Sequence, residues 1–333
     1  MLLSQLRGQN TAIKTLERAL QGQRLPNAYL FEGPSGVGKE RAALGLAQAR
    51  LCLAQPLRGC GKCLVCTRIL SGNHPDARRF APRDEGKRNL QVETLRSEIL
   101  PIAQYAPFEG EHAFMIFPEA DVSFPVAHPE AANALLKTLE EPRAHVTFVL
   151  LSDRPQQLLS TIRSRCQRVR FGPLPPLVIE HVLEEHGIAP ALRAAANALS
   201  EGSADRALEL AEGGVAAELL ARALRIDRTL ALGDSGRLIE LSEELAKSDD
   251  LSRVMETLAA LYRDVAAQGL GLSADKLRFQ SERAQIEERA RELAPRGAAA
   301  RVSRLAELPE LLSRNANPQI ALDNLLVQLS QLR

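Results

Sequence analysis

Tryptophan is absent from the 333-residue chain, and aromatic residues together make up only 4% of it. A core here has to be built on aliphatic side chains, and a surface that stacks nucleic-acid bases has few rings to work with. Neither sign of charge dominates. Lys and Arg number 42 against 41 Asp and Glu, a formal net charge of +1, so bulk charge favours neither nucleic acid nor an anionic membrane. No run of about 18 apolar residues occurs. Met1-Leu2-Leu3-Ser4-Gln5-Leu6-Arg7 has neither the long apolar core nor the cleavage site of a leader. The expectation is a soluble, cytoplasmic protein. Cysteine is scarce, five in all, yet four lie between positions 52 and 66. In a reducing compartment such a cluster points to a metal rather than to disulfides.

The rest of the composition is that of a globular chain, 45% hydrophobic and 25% charged, with length for two or three domains. Ala and Leu are abundant after residue 176, which favours helices. No internal repeat or low-complexity segment is evident.

The most informative stretch is Gly33-Pro34-Ser35-Gly36-Val37-Gly38-Lys39-Glu40. It follows the apolar run Ala28–Phe31 and opens the helical run Arg41–Ala47, the strand, glycine loop and helix setting of a phosphate-binding loop. Its glycines let successive N–H groups face one point. The helix start adds unpaired donors, and Lys39 supplies a charge for the outer phosphates. Where the motif needs Ser or Thr to place a hydroxyl on Mg²⁺, the chain has Glu40. The loop therefore reads as built for phosphate, with ATP or ADP as candidate ligands, and poorly built for Mg²⁺-dependent hydrolysis. The competing reading is a glycine-rich turn that binds nothing.

Residues 11 to 22 read as an amphipathic helix with Ile13, Leu16 and Leu20 on one face. After the loop helix come Cys52, Cys60, Cys63 and Cys66, the last three separated by two residues each. Thiolates at such spacing can wrap a tetrahedral Zn²⁺, and closing the site would staple an insertion too small to bury a core. His74 is an alternative fourth ligand to Cys52, although Asn73-His74-Pro75-Asp76 looks like a turn. Residues 90 to 103 read as a helix, and Ala113–Phe117 as a buried parallel strand. In a nucleotide hydrolase such a strand ends in two acids, the first of which handles Mg²⁺. Here Pro118-Glu119 stands there, with Asp121 as a candidate in a shifted register. A helix is expected at 129 to 141, ended by Pro142, then a strand at 146 to 151 and a short helix near 156 to 160. Four arginines (Arg163, Arg165, Arg168 and Arg170) crowd the turn and last strand that follow. The alternation implies an α/β domain with a parallel sheet covered by helices.

Pro173 and Pro175-Pro176 mark a boundary. A small helical lid is expected after it, Gly213-Gly214 break the pattern, and the remainder reads as all helical. Leu219, Leu220, Ala223 and Leu224 form a bundle face. Near the end, Asn317 can cap a helix with Pro318 at its first position, and Leu322, Leu325, Leu326 and Leu329 form one stripe.

Taken together, Leu25–Phe31, the four-cysteine insertion, Asn73–Asp76, Asn133–Pro142, Ser164-Arg165-Cys166 and Asn315–Leu326 resemble one family, the AAA+ subunits (γ/τ and δ′) of the bacterial DNA polymerase III clamp loader. The resemblance covers nearly the whole chain. It implies an AAA+ P-loop domain over 1–172 with a zinc insertion at about 52–66, a lid over 173–212 and a helical collar over 213–333. It implies a hetero-pentameric ring with γ/τ and δ subunits that loads the sliding clamp onto primer-template DNA. Arg165 matches the arginine that completes a neighbour's nucleotide site, an arginine finger acting in trans. By itself, its bland reading is a surface ion pair. Glu40, Pro118 and Asp205 depart from the hydrolysing γ/τ pattern, with Arg206 one position late, whereas Arg165 remains; this asymmetry is similar to δ′. No acidic triad for nucleotide polymerisation is present, so a polymerase label would belong to the holoenzyme. The competing readings are a γ/τ-type ATPase and a zinc-dependent nucleic-acid-binding module. Against the latter, the knuckle has only Arg58, Lys62 and Arg68 nearby and no aromatics.

Overall fold

Short apolar runs pair into one parallel sheet because they alternate with helices long enough to cross over it. The computed structural model describes residues 2–22, 25–81, 90, 92–126, 129–141, 143, 145–273, 276–313 and 317–332. Pro142, Asn315 and Ala316, singled out above, lie outside the described residues. The chain contacts divide into two compact units, Met1–Val178 with Gly202–Asp205, and Ile179–Glu201 with Arg206–Arg333.

In the first unit, helix α1 (Asn10–Gln21) buries Ala12, Leu16 and Leu20. Strand β1 (Ala28–Glu32) leads to helix α2 (Lys39–Leu51), and a short helix α3 (Leu64–Leu70) follows the first three cysteines. Strand β2 (Ala77–Arg79) is only three residues long and carries two arginines, which hid it in the sequence. The helix α4 over 92–102 is not regular: Leu95–Ile99 forms a π turn immediately before Leu100–Ile102. Pro101 explains the widening, since it offers no N–H for an ordinary helical bond. Strand β3 (Ala113–Phe117), a single helical turn α5 (Ala120–Ser123), helix α6 (Glu130–Glu140) and strand β4 (Val146–Ser152) come next.

The short helix expected near 156 to 160 is displaced. Pro155–Gln157 makes one 3-10 turn, and helix α7 runs from Ser160 to Arg165 before strand β5 (Gln167–Arg170). The cause is a small bridge: Leu158 pairs with Pro125, and Val126 N–H donates to Gln157 O at 2.9 Å, which holds this stretch extended.

The strands are ordered β2-β3-β4-β1-β5, and every pairing is parallel. All residues of β1 and β4 are buried, as strands covered on both faces require. Phe117 anchors one face, edge-on to Phe124 at 5.3 Å and stacked near Phe148 at 6.5 Å. Because β1 lies between β4 and β5, its C-terminal end opens into the crevice where ligands of open α/β sheets bind.

The second unit is helical. Helices α8 (Pro176–Glu185), α9 (Pro190–Leu199) and α10 (Ala204–Ala211) precede a turn at Glu212–Gly214. Then come α11 (Val215–Leu232), α12 (Ser235–Ala246), α13 (Leu251–Gly269), α14 (Arg283–Glu292), α15 (Pro295–Ser313) and α16 (Pro318–Gln331). Leu219, Leu220 and Ala223 are buried, as are Leu322, Leu325, Leu326 and Leu329. Asn317 caps α16, accepting from Gln319 N–H at 2.9 Å and Ile320 N–H at 3.5 Å. A buried polar knot ties this unit together. Asp227 on α11 accepts from Tyr262 Oη–H on α13 at 2.8 Å and from Arg289 Nε–H on α14 at 2.9 Å. Arg301 on α15 donates to Tyr262 Oη at 2.8 Å and to Leu332 O at 2.9 Å. Among the described residues no helix is long and apolar enough to cross a membrane.

Candidate functional site

The loop over 33–38 leaves the end of β1 and enters α2 at Lys39. Gly38 stands before α2 with φ +94°, and no side chain caps the helix, so its first N–H groups face outward. Lys39 is only 7% exposed. Its Nζ donates to Gly33 O at 2.7 Å, Pro34 O at 2.5 Å and Asp153 Oδ1 at 2.7 Å, which uses all three ammonium protons.

Two of the glycines are required by neighbouring atoms of the same chain. A Cβ on Gly33 (φ +152°) would lie 2.1 Å from Phe171 O, and one on Gly36 (φ +68°) would lie 2.1 Å from Ser203 Oγ. The segment Gly202–Asp205 is docked on the loop, with Ala204 N–H donating to Gly36 O at 2.9 Å. Gln9, which the sequence pattern did not single out, also braces the loop. Its Nε2 reaches Gly172 O at 2.7 Å and Val37 O at 3.3 Å, while its Oε1 accepts from Gly172 N–H at 3.2 Å. Glu40, in place of the hydroxyl, turns to Arg79 on β2, with Arg79 Nε–H donating to Oε1 at 2.6 Å. At the end of β3, Pro118 closes the strand and Glu119 stands at the start of α5, which carries the buried Asp121.

The four arginines do not act alike. Arg168 and Arg170 on β5 both donate to Glu32, a buried carboxylate at the end of β1, Arg168 Nη2 at 2.7 Å and Arg170 Nε at 3.0 Å. That pair was not foreseen, because Glu32 reads as an ordinary strand end. Arg165, at the end of α7, is about one-third exposed. Its Nη2 donates to Glu140 on α6 at 2.5 Å and its Nη1 to Thr161 O at 3.0 Å. An exposed pair of this kind contributes roughly 0.2–1 kcal/mol and exchanges readily for a stronger anion.

The cysteine cluster has metal-site geometry. The sulfurs of Cys52, Cys60, Cys63 and Cys66 all lie within 4.8 Å of one another. Cys52 and Cys63 are 3.8 Å apart, and Cys60 and Cys66 are 4.0 Å apart. A tetrahedron of sulfurs about 2.3 Å from a zinc ion has edges of about 3.8 Å. Backbone N–H groups already orient two of the sulfurs, Gln55 N–H on Cys52 at 3.4 Å and Cys63 N–H on Cys60 at 3.3 Å. The N–H groups of Lys62 and Cys63 pull the Cys60 thiol down to about 6, whereas burial pushes the Cys66 thiol up to about 12. Cys52 completes the quartet, and His74 is occupied elsewhere: its Nδ1 accepts from Asp76 N–H at 3.1 Å. Burial lowers the His74 pKa. The reason for the Asn73–Asp76 motif lies in Asp76, a buried carboxylate that accepts from the N–H groups of Phe108 (2.6 Å), Glu109 (2.8 Å) and Gly110 (2.8 Å).

With this geometry in place, the comparisons bear on its origin. The family model described as DNA polymerase III, delta subunit, matches residues 8–175. The Bacillus subtilis DNA polymerase III subunit δ′ is 30% identical over 97% of this chain and 96% of its own length. The chain belongs to the DNA polymerase III δ′ family. The τ subunits are also related: that of Escherichia coli is 34% identical over 79% of this chain, which spans 40% of that longer protein. A Thermotoga maritima γ subunit-related protein of known structure covers 96% of this chain and 98% of its own, at 18% identity and a TM-score of 0.44. Within this family the α/β unit with its parallel sheet and four-cysteine insertion, followed by a mostly helical part, is the fold expected from the sequence.

Proposed function

We propose that this protein is the δ′-type member of a bacterial clamp-loader ring, one that turns over little or no ATP itself and supplies Arg165 to the nucleotide site of a neighbouring subunit. The observation that carries the reading is the contrast between the two ends of the sheet unit's chemistry. The positions that would handle Mg²⁺ hold Glu40, paired with Arg79, and Pro118. Arg165, by comparison, stands accessible at a helix end in a surface ion pair with Glu140. A guanidinium that leaves such a pair for a neighbour's γ-phosphate replaces a weak, screened contact with one that opposes transition-state charge.

In this reading 173–212 is a lid and 213–333 a collar that holds the ring, the partners are γ/τ and δ subunits, and the sliding clamp and primer-template DNA are engaged through the assembled complex in the cytoplasm. Cys52, Cys60, Cys63 and Cys66 would hold a structural Zn²⁺, which supplies folding energy to the insertion and no chemistry to the nucleotide site. The relatives are named as DNA polymerase III subunits; in this reading the polymerase reaction is left to other subunits.

The test is reconstitution of the loader with its γ/τ and δ partners, comparing the wild-type chain with Arg165→Ala and Glu140→Gln. Turnover at the nucleotide site that Arg165 completes should fall by roughly 10³-fold or more with Arg165→Ala, in line with other trans-acting arginines, and should hold with Glu140→Gln. Unchanged turnover with an assembled Arg165→Ala ring would refute the finger. Brisk ATP hydrolysis by the isolated chain, abolished by Lys39→Ala, would refute the passive role.

A further inference from the structure

Lys39 Nζ, the cation of a phosphate-binding loop, is already fully coordinated by oxygen in this chain. Two of its acceptors are the loop's own carbonyls, Gly33 O and Pro34 O, and the third is the Asp153 carboxylate at 2.7 Å. We infer that Asp153 is an internal counter-anion for Lys39, one that holds the loop in its unliganded shape and sets its affinity for phosphates. The inference deepens the reading of this chain as a member without turnover, but it rests on the loop alone and is independent of what Arg165 does.

Three features support it. First, Asp153 is positioned by the sheet. It follows Ser152, the last residue of β4, which lies opposite Glu32 of β1 in register, and Gly33 N–H donates to Ser152 O at 3.2 Å. Arg154 N–H donates to Ser152 Oγ at 3.1 Å, which fixes the turn just beyond. The carboxylate is thereby presented to the loop by the two central strands. Second, the pair is asymmetric: the Lys39 side chain is 7% exposed and that of Asp153 is 45% exposed. A carboxylate open to water can be displaced outward, while the ammonium stays in place for whatever anion replaces it. Third, two further acidic residues border the loop. Glu40, the second residue of α2, pairs with Arg79, and the N and Cβ of Asp205 come up against Gly36.

A di- or triphosphate that enters at the start of α2 must therefore take Lys39 from Asp153 and leave that carboxylate beside a polyanion. Asp153→Asn keeps the side chain's size and an oxygen that can accept from Nζ, and it removes only the charge. The experiment uses the isolated full-length chain and inorganic pyrophosphate, titrated calorimetrically at fixed ionic strength. Asp153→Asn should bind pyrophosphate at least tenfold more tightly than the wild type, a change of about 1.4 kcal/mol, and Asp153→Asn combined with Lys39→Met should lose that gain. Asp153→Ser serves as a second variant, with the same expectation, should the Asn variant not fold as judged by its melting curve. The inference is overturned if a folded Asp153 variant binds no more tightly than the wild type. It is equally overturned if the gain survives the loss of the Lys39 amine. Because ring assembly plays no part in this measurement, its failure leaves the arginine reading standing, and a failed reconstitution leaves this result standing.

Discussion

Asp76→Asn isolates the contribution of a single buried carboxylate. In the wild type one oxygen, Oδ1, accepts from Phe108 N–H at 2.6 Å, and the other, Oδ2, accepts from Glu109 and Gly110 N–H at 2.8 Å each. The residue is 2% exposed, so water cannot take over any bond that is lost. In the better orientation the amide oxygen of Asn keeps the two bonds at Oδ2, now neutral rather than charge-assisted. Its NH₂ group then faces Phe108 N–H, donor against donor. A net hydrogen bond to a charged group contributes about 1.5–3 kcal/mol and a neutral one about 1 kcal/mol. With the lower figure for each charged bond, one bond lost and two weakened sum to roughly 3 kcal/mol. For a unit of this size each kcal/mol moves the melting temperature by about 2–4 °C, so the first transition in a calorimetric scan should fall by about 6–12 °C. Native-state hydrogen exchange should show the amides of 108–110 losing protection before the strands do. Glu111→Gln, at a side chain 87% exposed, should leave the melt unchanged. A folded Asp76→Asn protein that melts within about 2 °C of the wild type would refute the account of Asp76 as the anchor of that loop.

Three further outcomes follow from the same unit. His112 is buried with Nε2 2.8 Å from Thr147 Oγ1, and Thr147 in turn donates to Pro26 O; burial, aided by the charges of Arg50 and His145, lowers the His112 pKa to about 4. The folded group thus binds its proton less readily than the unfolded one. Its stabilisation is complete above about pH 6.5 and is lost as pH falls from there toward 4, at most about 3 kcal/mol, so chemical denaturation midpoints should drop across that window and drop less in His112→Gln. Removal of metal with a strong chelator, or Cys60→Ser with Cys63→Ser, should unfold the insertion over 52–66, read as loss of one zinc per chain by atomic emission and a lower melting temperature; a chain with no metal and an unchanged melt overturns the zinc assignment. Gly36→Ala should destabilise the first unit by about 1–3 kcal/mol through both the left-handed backbone and the approach to Ser203, and a neutral effect on the melt would contradict the docking of Gly202–Asp205 on the loop.

The parts of the fold that a residue pattern could announce were the ones with strong periodicity. The continuous apolar runs of β1, β3 and β4 and the capped, striped helix α16 could be read directly, because burial on both faces or on one stripe leaves a signature in the residue order. Strand β2 and the π turn in α4 left no such mark: the first is three residues held by its neighbour β3, and the second is a local response to Pro101. The site divides the same way. Glycine spacing and cysteine spacing are local, and the loop and the sulfur quartet were found from them. Asp153 and Gly202–Asp205 reach the loop from 114 and more residues away, as Asp76 reaches its loop from 32 residues away; only the fold brings them there. Arg165 was noticed by resemblance, whereas its Glu140 partner is a tertiary fact.

The course of the chain has a practical consequence for anyone dissecting it. The backbone leaves the sheet unit after Val178, returns for only four residues, Gly202–Asp205, and leaves again. No single cut can therefore separate the two units intact. A fragment that stops at residue 178 would lack Ala204, whose N–H satisfies Gly36 O, and Ser203, which packs against Gly36, so its glycine loop would be missing one wall. Excision experiments on the sheet unit need those four residues supplied by a splice, and nucleotide-binding data from a simple truncation would report on a loop with one side open.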